Sequence, residues 1–411
     1  MNTVVTEARC DIAVVGAGIV GLATAWQLQR RHPDLRVAVL EKEDDVAAHQ
    51  SGHNSGVLHT GLYYKPGTLR ARLCVEGKRE LEAFANERGI AWRRCGKLIV
   101  AIGDRELAPL AVLARRAAEN GVEDVEEMGP ERMREIEPAV RGTRALHVPG
   151  TGVIDYRDVA RSLAREIEAA GGQILPGRAA TTIMERPEEV VIGTRTGEVR
   201  ARAIITCGGL HSDRLAAMTG HRDGVHIMPV RGDYYTLSAA AQTHVRALVY
   251  PVPDPAYPFL GVHFTRTIHD DVHAGPNAVL ALAREGYRRR DISPRDLGEM
   301  LAFTGFYRMA FANLATGIGE TWRDLSRSAF ATALRRYIPQ IADADLSFGP
   351  SGVRAQALDA RGRFVDDFSF GGSGRVLHVR NAPSPAATAS LAIGRHLAGE
   401  AETRFGLKNR V

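Results

Sequence analysis

The chain of 411 residues has few of the features that would indicate a disulfide-bonded, metal-binding or membrane-spanning protein. Its four cysteines, Cys10, Cys74, Cys95 and Cys207, have a spacing that matches neither a disulfide framework nor a zinc site. No run of 18 or more apolar residues is present, so no bilayer-spanning helix is predicted. Residues 1–9 are short and polar, unlike a signal or transit peptide. We therefore expect reduced thiols, no bound metal and a cytoplasmic protein.

Internal repeats and low-complexity linkers are also missing, and the charge is only mildly biased. Lysine and arginine number 53 against 48 acidic residues, which gives a formal net charge of +5. The densest basic cluster is 284–295, with three consecutive arginines at 288–290. Nucleic acid, an anionic membrane surface or an acidic substrate would each explain this charge. A nucleic-acid surface would interleave aromatic residues with the basic stripe, and only Tyr287 stands beside these arginines, so no nucleic-acid partner is predicted.

The order of predicted elements indicates a mixed α/β (α+β) protein. Two domains are predicted, because a chain of 411 residues is longer than one hydrophobic core usually supports. A strand at 11–15, a helix to about residue 31 and a strand at 36–40 form a βαβ unit. We predict a Rossmann-like dinucleotide-binding domain from 9–90, 145–225 and 350–411. An antiparallel-sheet substrate domain would comprise 91–144 and 226–349, interleaved with the first domain. Longer strands are expected at 92–101 and 248–265, and a long basic amphipathic helix within 284–337.

A glycine-rich turn carries the first sign of function. Residues 16–21 read GAGIVG, a GxGxxG turn that follows a strand and opens a helix. Gly16 permits the tight turn, Gly18 lets the backbone approach a pyrophosphate, and Gly21 allows close helix–strand packing. The helix N-terminus offers N–H groups to the anion, and Glu41 ends the second strand where a carboxylate can accept from ribose hydroxyls. This context predicts a dinucleotide site.

The next segment favours FAD over NAD as the dinucleotide. Residues 48–59 form a polar, glycine-rich loop with three histidines and an asparagine directly after the ribose-binding strand. Small residues and amide groups of this kind can follow a ribityl chain and approach a flavin ring. A plain surface connection would not need this composition.

Longer stretches resemble a known family. They are HQSGHNSGVLHTGLYY at 49–64, YPVPDP at 250–255, GVHFTR at 261–266, GVRAQA at 352–357 and NAPSPAAT at 381–388. The sequence resembles the D-amino-acid-oxidase-like flavoproteins and, more narrowly, the L-2-hydroxyglutarate oxidase/dehydrogenase family, from about residue 11 to 397. The resemblance implies bound FAD and oxidation of L-2-hydroxyglutarate to 2-oxoglutarate by hydride transfer from C2 to flavin N5.

The resemblance also implies residue roles. Residues 206–209 resemble the strand end beneath the FAD pyrophosphate, Ala180 would contact the adenine, and 381–388 would point N–H groups at the flavin pyrimidine ring. A helix start there stabilises the negative charge of reduced flavin. A flavin linked covalently through His49, His53 or His59 stays an open alternative. The predicted cofactor-binding residues are Gly16, Ala17, Gly18, Ile19, Val20, Gly21, Glu41, Lys42, Ser51, Asn54, Ser55, Gly56, Val57, Ala180, Cys207, Gly208, Gly209, Pro385, Ala386, Ala387 and Thr388.

Oxidising an alcohol next to a carboxylate needs a base for the hydroxyl proton and a cation for the carboxylate. His263 is the preferred base because imidazole titrates near working pH, and His59 is the rival. Strand alternation places Arg266 on the face opposite His263. Arg354 lies where the related flavoenzymes have a carboxylate-binding arginine, so the resemblance implies that it is the carboxylate clamp, and a guanidinium fork matches a carboxylate. For the distal carboxylate the candidates are Lys97, Arg231, Tyr63 and Tyr64.

Other readings stay open at the level of sequence. An amino-acid or N-methyl-amino-acid oxidase could use the same scaffold, and a nucleic-acid-binding flavoprotein is an alternative from another class. The electron acceptor is a membrane quinone or oxygen. The segment 284–337 contains ten arginines among apolar residues. It either lies peripherally on the inner face of the cell membrane or packs its apolar side on the substrate domain.

Overall fold

The computed structural model describes residues 7–407 apart from 223, 255–260, 315, 316, 318, 320–323 and 325. Pro255 of the matching stretch 250–255 and Arg323 of the basic segment therefore lie outside the described residues. The strands are β1 Ala8–Val15, β2 Val37–Leu40, β3 Val57–Leu58, β4 Trp92–Arg94, β5 Lys97–Ala101, β6 Glu126–Met128, β7 Arg144–His147, β8 Gly152–Ile154, β9 Gln173–Leu175, β10 Thr182–Glu185, β11 Val190–Thr194, β12 Gly197–Thr206, β13 His226–Leu237, β14 Leu248–Pro251, β15 His263–Arg266, β16 Val272–Gly275, β17 Val279–Leu280, β18 Leu346–Leu358, β19 Ser369–Gly371 and β20 Val376–Asn381. The helices are α1 Ile19–Arg31, α2 Leu69–Glu87, α3 Leu107–Glu119, α4 Pro130–Ile136, α5 Tyr156–Ala169, α6 Ser212–Met218, α7 Ala239–Gln242, α8 Pro294–Ala302, α9 Thr304–Ala312, α10 Arg327–Arg335 and α11 Ser390–Phe405.

The first sheet is built around the N-terminal strand. Its order is β10-β11-β12-β1-β2-β9, with β20 also on β12 and β19 on β20. β1 pairs in parallel with β2 and β12, and its inner residues are apolar and buried, as expected for a parallel strand covered on both faces. α1 packs against α5 and α11 over one face of this sheet. The C-terminal ends of β1 and β12 and the start of α1 therefore meet at one edge.

The second sheet forms the wall opposite that edge. Its order is β17-β13-β16-β15-β14-β5-β7-β6, and β18 pairs along β13 in antiparallel register. The β5–β14 pair is parallel, while the other pairs in the sheet are antiparallel. β3, β8 and β4 form a small third sheet. Mixed α/β architecture is confirmed.

Several predicted boundaries differ from the structure. The strand predicted at 92–101 is two strands in different sheets, because Cys95 and Gly96 turn the chain and Gly96 has a φ of +72°. The predicted strand 248–265 is likewise divided into β14 and β15. Residues 145–147 and 350–358 belong to β7 and β18 of the second sheet, beyond the limits predicted for the substrate domain. The pairing of these strands across the second sheet is a long-range choice that local sequence does not encode.

The prediction of one long helix within 284–337 is wrong. Phe303 is extended and buried, which separates α8 from α9. Met300, Phe303 and Met309, predicted on an apolar side that could face lipid, pack with Met228 and Leu358 of the second sheet. Phe311 and Leu314 stay exposed, at 77% and 59%. None of the helices within the described ranges is both long and apolar enough to cross a bilayer.

Candidate active site

A cavity of about 1120 Å³ runs from the turn after β1 to the wall formed by the second sheet. Its near end is lined by Gly16, Gly18, Ile19 and Val20, and its far end by residues of β14, β15 and β18. The loop 47–57 and the loop 381–388 line it between these ends. The cavity therefore brings together most of the residues that the sequence analysis singled out from distant parts of the chain.

The glycine turn is shaped by close backbone contacts. Gly16 has a φ of +112°, and a Cβ there would lie 2.5 Å from the carbonyl oxygen of Cys207. A Cβ at Gly21 would lie 2.0 Å from the carbonyl oxygen of Gly16, so α1 packs directly on the turn. Gly18 is different: it has ordinary backbone angles and faces the cavity. The tight turn at Gly16 and the close packing at Gly21 are as the motif predicts, and the approach of a pyrophosphate to Gly18 stays a prediction.

Two side chains fix the shape of the glycine turn by accepting hydrogen bonds from its backbone N–H groups. The Glu41 carboxylate accepts from the N–H of Ala17 at 2.8 Å and from the N–H of Glu43 at 3.0 Å. The Ser51 hydroxyl accepts from the N–H of Ile19 at 2.9 Å. Glu41 thus shapes the turn in addition to reaching the cavity, where its predicted ribose contact stays a prediction. Ala17, Gly21 and Gly56 do not line the cavity and act on its shape.

The loop 48–59 folds on itself. The Asn54 amide donates to the carbonyl oxygens of Gln50 and Ser51 and accepts from the N–H of Gly56 at 2.8 Å. Lys42 binds Glu43 and Glu285, and His49 lies 2.8 Å from Glu43 at this end of the cavity. Lys42, Asn54, Ser55 and Val57 all line the cavity.

On the opposite side, β12 ends at the cavity. Cys207, Gly208 and Gly209 line it, as does Ala180 from the segment before β10. Burial raises the pKa of the Cys207 thiol to about 12, so this cysteine is a neutral packing residue. A Cβ at Gly208 would lie 2.4 Å from Leu215, which explains a small residue there.

The loop before α11 is tied to the rest of the site by three hydrogen bonds at Thr388. Its hydroxyl accepts from the N–H of His59 at 3.2 Å, contacts the Tyr156 hydroxyl at 2.7 Å and donates to the carbonyl oxygen of Val57. Pro385, Ala386 and Ala387 line the cavity beside it. Arg70, which the sequence analysis missed, donates to the carbonyl oxygens of Ser384 and Asp366 and fixes the outer part of this loop.

His263 lies at the far end with a defined tautomer. Its Nδ1 donates to the carbonyl oxygen of Gly261 at 2.9 Å, which leaves Nε2 with a free lone pair. Burial lowers the pKa of His263 to about 3, the charges of Lys97 and Arg354 act in the same direction, and the bond to Gly261 opposes them. The imidazole is therefore neutral near pH 7 and can accept a proton. Arg266 points elsewhere, onto the carbonyl oxygens of Gln242 and Val245, as strand alternation predicts.

Arg354 and two tyrosines surround His263. Arg354 lies on β18 and lines the cavity, close enough for its charge to affect His263 and Tyr234. The Tyr250 ring stacks on the His263 ring with their centroids 3.8 Å apart. Burial raises the pKa values of Tyr234 and Tyr250, so both phenols are neutral. The sequence analysis missed these tyrosines as site residues, although Tyr250 lies within one of the matching stretches.

His59 is also neutral. Burial lowers its pKa well below the usual range, and the charges of Lys97 and Arg70 lower it further. Its Nδ1 is buried and has no hydrogen-bond partner within the described part of the chain. Of the four candidates for the distal carboxylate, Tyr63 and Tyr64 line the cavity, whereas Lys97 and Arg231 do not, and Arg231 pairs with Asp233 at 3.0 Å.

Comparisons with known proteins agree with this geometry. The sequence profile of the family FAD dependent oxidoreductase matches residues 11–400. The chain is 46% identical to the L-2-hydroxyglutarate dehydrogenase, mitochondrial, of Nematostella vectensis, covering 97% of this chain and 91% of that protein. It is 43% identical to the L-2-hydroxyglutarate dehydrogenase of Escherichia coli K12, covering 96% and 93%.

The chain belongs to the FAD-dependent oxidoreductase family. A solved structure of the L-alpha-glycerophosphate oxidase of Mycoplasma pneumoniae with FAD bound has the same fold, with a TM-score of 0.79 at 23% identity over 97% of this chain and 95% of that one. The glycine oxidase of Geobacillus kaustophilus matches with a TM-score of 0.70 at 19% identity, over 97% and 95%.

FAD is the cofactor of this oxidoreductase, and the residues present fit it. The glycine turn leaves room for a pyrophosphate where Gly18 faces the cavity, because the N-cap residue of α1 is Gly18 itself, which has no side chain to fill that space. The cavity continues from the turn to His263 and Arg354 without leaving the protein. A group bound along it would present its far end to the second sheet.

Proposed function

We propose that this protein oxidises L-2-hydroxyglutarate to 2-oxoglutarate. The observation that carries the proposal is the neutral His263, whose Nε2 lone pair lies on the cavity wall beside Arg354. Relatives at 43–46% identity, including the human protein, are named L-2-hydroxyglutarate dehydrogenase. The L-2-hydroxy acid supplies what this pair needs, a hydroxyl proton and a carboxylate on neighbouring carbons.

When bound, FAD supplies the hydride acceptor. The protein residues do the rest: Arg354 holds the carboxylate next to C2, and His263 Nε2 takes the hydroxyl proton. The Nδ1 bond to Gly261 keeps the ring oriented as the proton arrives. The stacked Tyr250 ring and the buried wall exclude water from the imidazole. His59 lies near the same groups and is the second residue that could receive the proton.

Replacing Arg354 with lysine should weaken substrate binding more than it slows the reaction. A lysine ammonium is a point charge and cannot reproduce the planar fork that holds both carboxylate oxygens. We expect KM for L-2-hydroxyglutarate to rise on the order of 10-fold or more, with a smaller change in the maximal rate of flavin reduction. A stopped-flow concentration series measures both. An unchanged KM would contradict the clamp.

The proposed function is tested by anaerobic flavin bleaching with a panel of acids. L-2-hydroxyglutarate should bleach the flavin, whereas its D-enantiomer should not, because the clamp and the base fix one face of C2. Amino acids and N-methyl amino acids belong in the same panel. Rapid bleaching by one of these, with none by L-2-hydroxyglutarate, would replace the proposal with amine oxidation on this scaffold.

We further propose peripheral membrane contact with transfer of electrons to a quinone. Tyr307 and Phe311 are exposed and lie four residues apart on α9, which places them on one face of that helix, and the exposed Leu314 follows the end of α9. Exposed aromatic and apolar side chains next to arginines suit an anionic interface. Sedimentation should show binding to anionic liposomes that salt weakens, and less binding after Phe311→Ser. A protein that ignores every lipid and reacts faster with oxygen than with a short-chain quinone would be an oxidase without this contact.

A further inference from the structure

Lys97 is a buried cation that forms no ion pair with any residue the structure describes. It lies on β5 and its side chain is fully buried. The ammonium nitrogen has no hydrogen-bond partner within the described ranges. Moving an isolated charge from water into a protein interior costs several kcal/mol of folding free energy. An apolar residue at this position would therefore stabilise the fold better than a lysine. A positive charge kept in such a place indicates that an anion arrives during function.

The position of Lys97 shows which part of the site would receive that anion. Its nitrogen lies 4.6 Å from the ring centre of Tyr250 and 5.0 Å from that of Tyr63. Both rings line the cavity, whereas Lys97 lies behind them. The Tyr250 ring stacks on the His263 ring, and both residues belong to strands of the second sheet. The cation therefore stands one layer behind the substrate end of the cavity, on the side of the base.

The charges around the cavity are unevenly distributed. The acidic residues among its described lining are Glu41 and Glu285, and both lie at the dinucleotide end, where they bind the turn and Lys42. At the substrate end Arg354 and Lys97 are positive, and so is Arg116, which lines the cavity and donates to the carbonyl oxygen of Tyr63 at 3.2 Å. Arg70 is already engaged with the carbonyl oxygens of Ser384 and Asp366. Positive charge without a lining carboxylate at this end matches a ligand with more than one negative charge, of which Arg354 takes the carboxylate next to C2.

We propose that Lys97 selects for a second carboxylate on the substrate, acting through the rings of Tyr63 and Tyr250 and not by direct contact. The inference rests on the proposed function, because it concerns the same site and substrate class. A cation behind an aromatic wall attracts a carboxylate on the other side of the wall, and the low polarity between them strengthens the attraction. Lys97 is therefore a positioning residue.

The titration of Lys97 offers a direct readout. Burial lowers its pKa to about 8, and the Cys74 and Cys95 thiols oppose this. The other titratable groups that face it do not change charge between pH 7 and pH 9.5. Burial keeps the pKa values of His59 and His263 far below 7 and raises those of Tyr63, Tyr250, Cys74 and Cys95 above 10. Above about pH 8 the free protein loses the Lys97 charge, so attraction for a second carboxylate should fall as pH rises.

The experiment compares two unreactive ligands on the FAD-loaded protein. Glutarate has two carboxylates, and in glutaramate one of them is replaced by a neutral amide of similar shape. Dissociation constants are read from the shift of flavin absorbance at pH 7 and pH 9.5. For the wild type we expect glutarate binding to weaken on the order of 10-fold between these pH values, and glutaramate binding to change far less. Lys97→Met should weaken glutarate at pH 7 by a similar factor and remove the difference in pH dependence.

Lys65→Met is the matched control, because it removes one exposed lysine and leaves the overall charge equal to that of Lys97→Met. It should bind both ligands like the wild type. Equal weakening of both ligands in Lys97→Met would show a packing role and overturn the inference. If that variant fails to fold, the wild-type measurements decide. A ratio of the glutarate and glutaramate dissociation constants that does not change with pH would also overturn the inference. Flavin bleaching by L-2-hydroxyglutarate is a separate measurement, so a failed substrate proposal is distinguishable from a failed role for Lys97.

Discussion

His263→Ala should slow flavin reduction by L-2-hydroxyglutarate on the order of 10²–10⁴-fold, the usual contribution of a general base. The imidazole is neutral because burial lowers its pKa to about 3, and its Nδ1 bond to Gly261 presents Nε2 as the acceptor. A base must be unprotonated to act, so its activity is lost as pH falls through its pKa. For His263 we expect that loss only below pH 6. Between pH 8 and pH 6 the rate of flavin reduction should therefore not fall as it would with a histidine of ordinary pKa.

The measurement is stopped-flow reduction of bound FAD at saturating substrate, with two companion variants. His273→Ala removes a half-buried histidine of the same sheet that does not line the cavity, and it should react like the wild type. His59→Ala tests the rival base. Wild-type rates in His263→Ala together with a large loss in His59→Ala would transfer the role of base to His59.

Gly18→Val should abolish FAD binding while the chain still folds. Gly18 has a φ of −71°, which any residue adopts, and the nearest atom to a Cβ built there is the Ser51 hydroxyl at 3.3 Å. The backbone angles therefore suit a side chain once the Ser51 hydroxyl moves by a few tenths of an ångström, but the added methyl groups would fill the space that the pyrophosphate needs at the start of α1. We expect purified protein without yellow colour, with the circular dichroism spectrum of a folded chain and a loss of FAD affinity of at least 10³-fold.

Gly103→Val is the control for that experiment, because a Cβ at Gly103 meets no atom within 4 Å and the residue lies outside the cavity. It should bind FAD normally. If Gly18→Val protein retains stoichiometric FAD after gel filtration, the pyrophosphate does not lie against this turn, and the placement of the cofactor along the cavity is wrong.

The sequence alone was sufficient where function depends on residues close together along the chain. The turn at 16–21 needs a strand before it and a helix after it, and all of these lie within 31 residues. The spacing of Glu41 from that turn follows from the length of one helix, and its carboxylate does reach the turn. Alternation within β15 correctly separated His263 from Arg266, because strand residues an odd number of positions apart face opposite sides.

The tertiary structure decided what depends on pairing between distant segments. The domain limits predicted at 145 and 350 fall inside β7 and β18, which join the second sheet through partners far away in sequence. The apolar periodicity of 284–337 was equally compatible with lipid and with protein, and only packing buried Met300 and Met309 while Phe311 stayed exposed. Arg231 and Lys97 were equal candidates in sequence. The fold pairs Arg231 with the Asp233 carboxylate and leaves the buried Lys97 ammonium without a hydrogen-bond partner among the described residues, because a side chain's partners are set by which strands become neighbours.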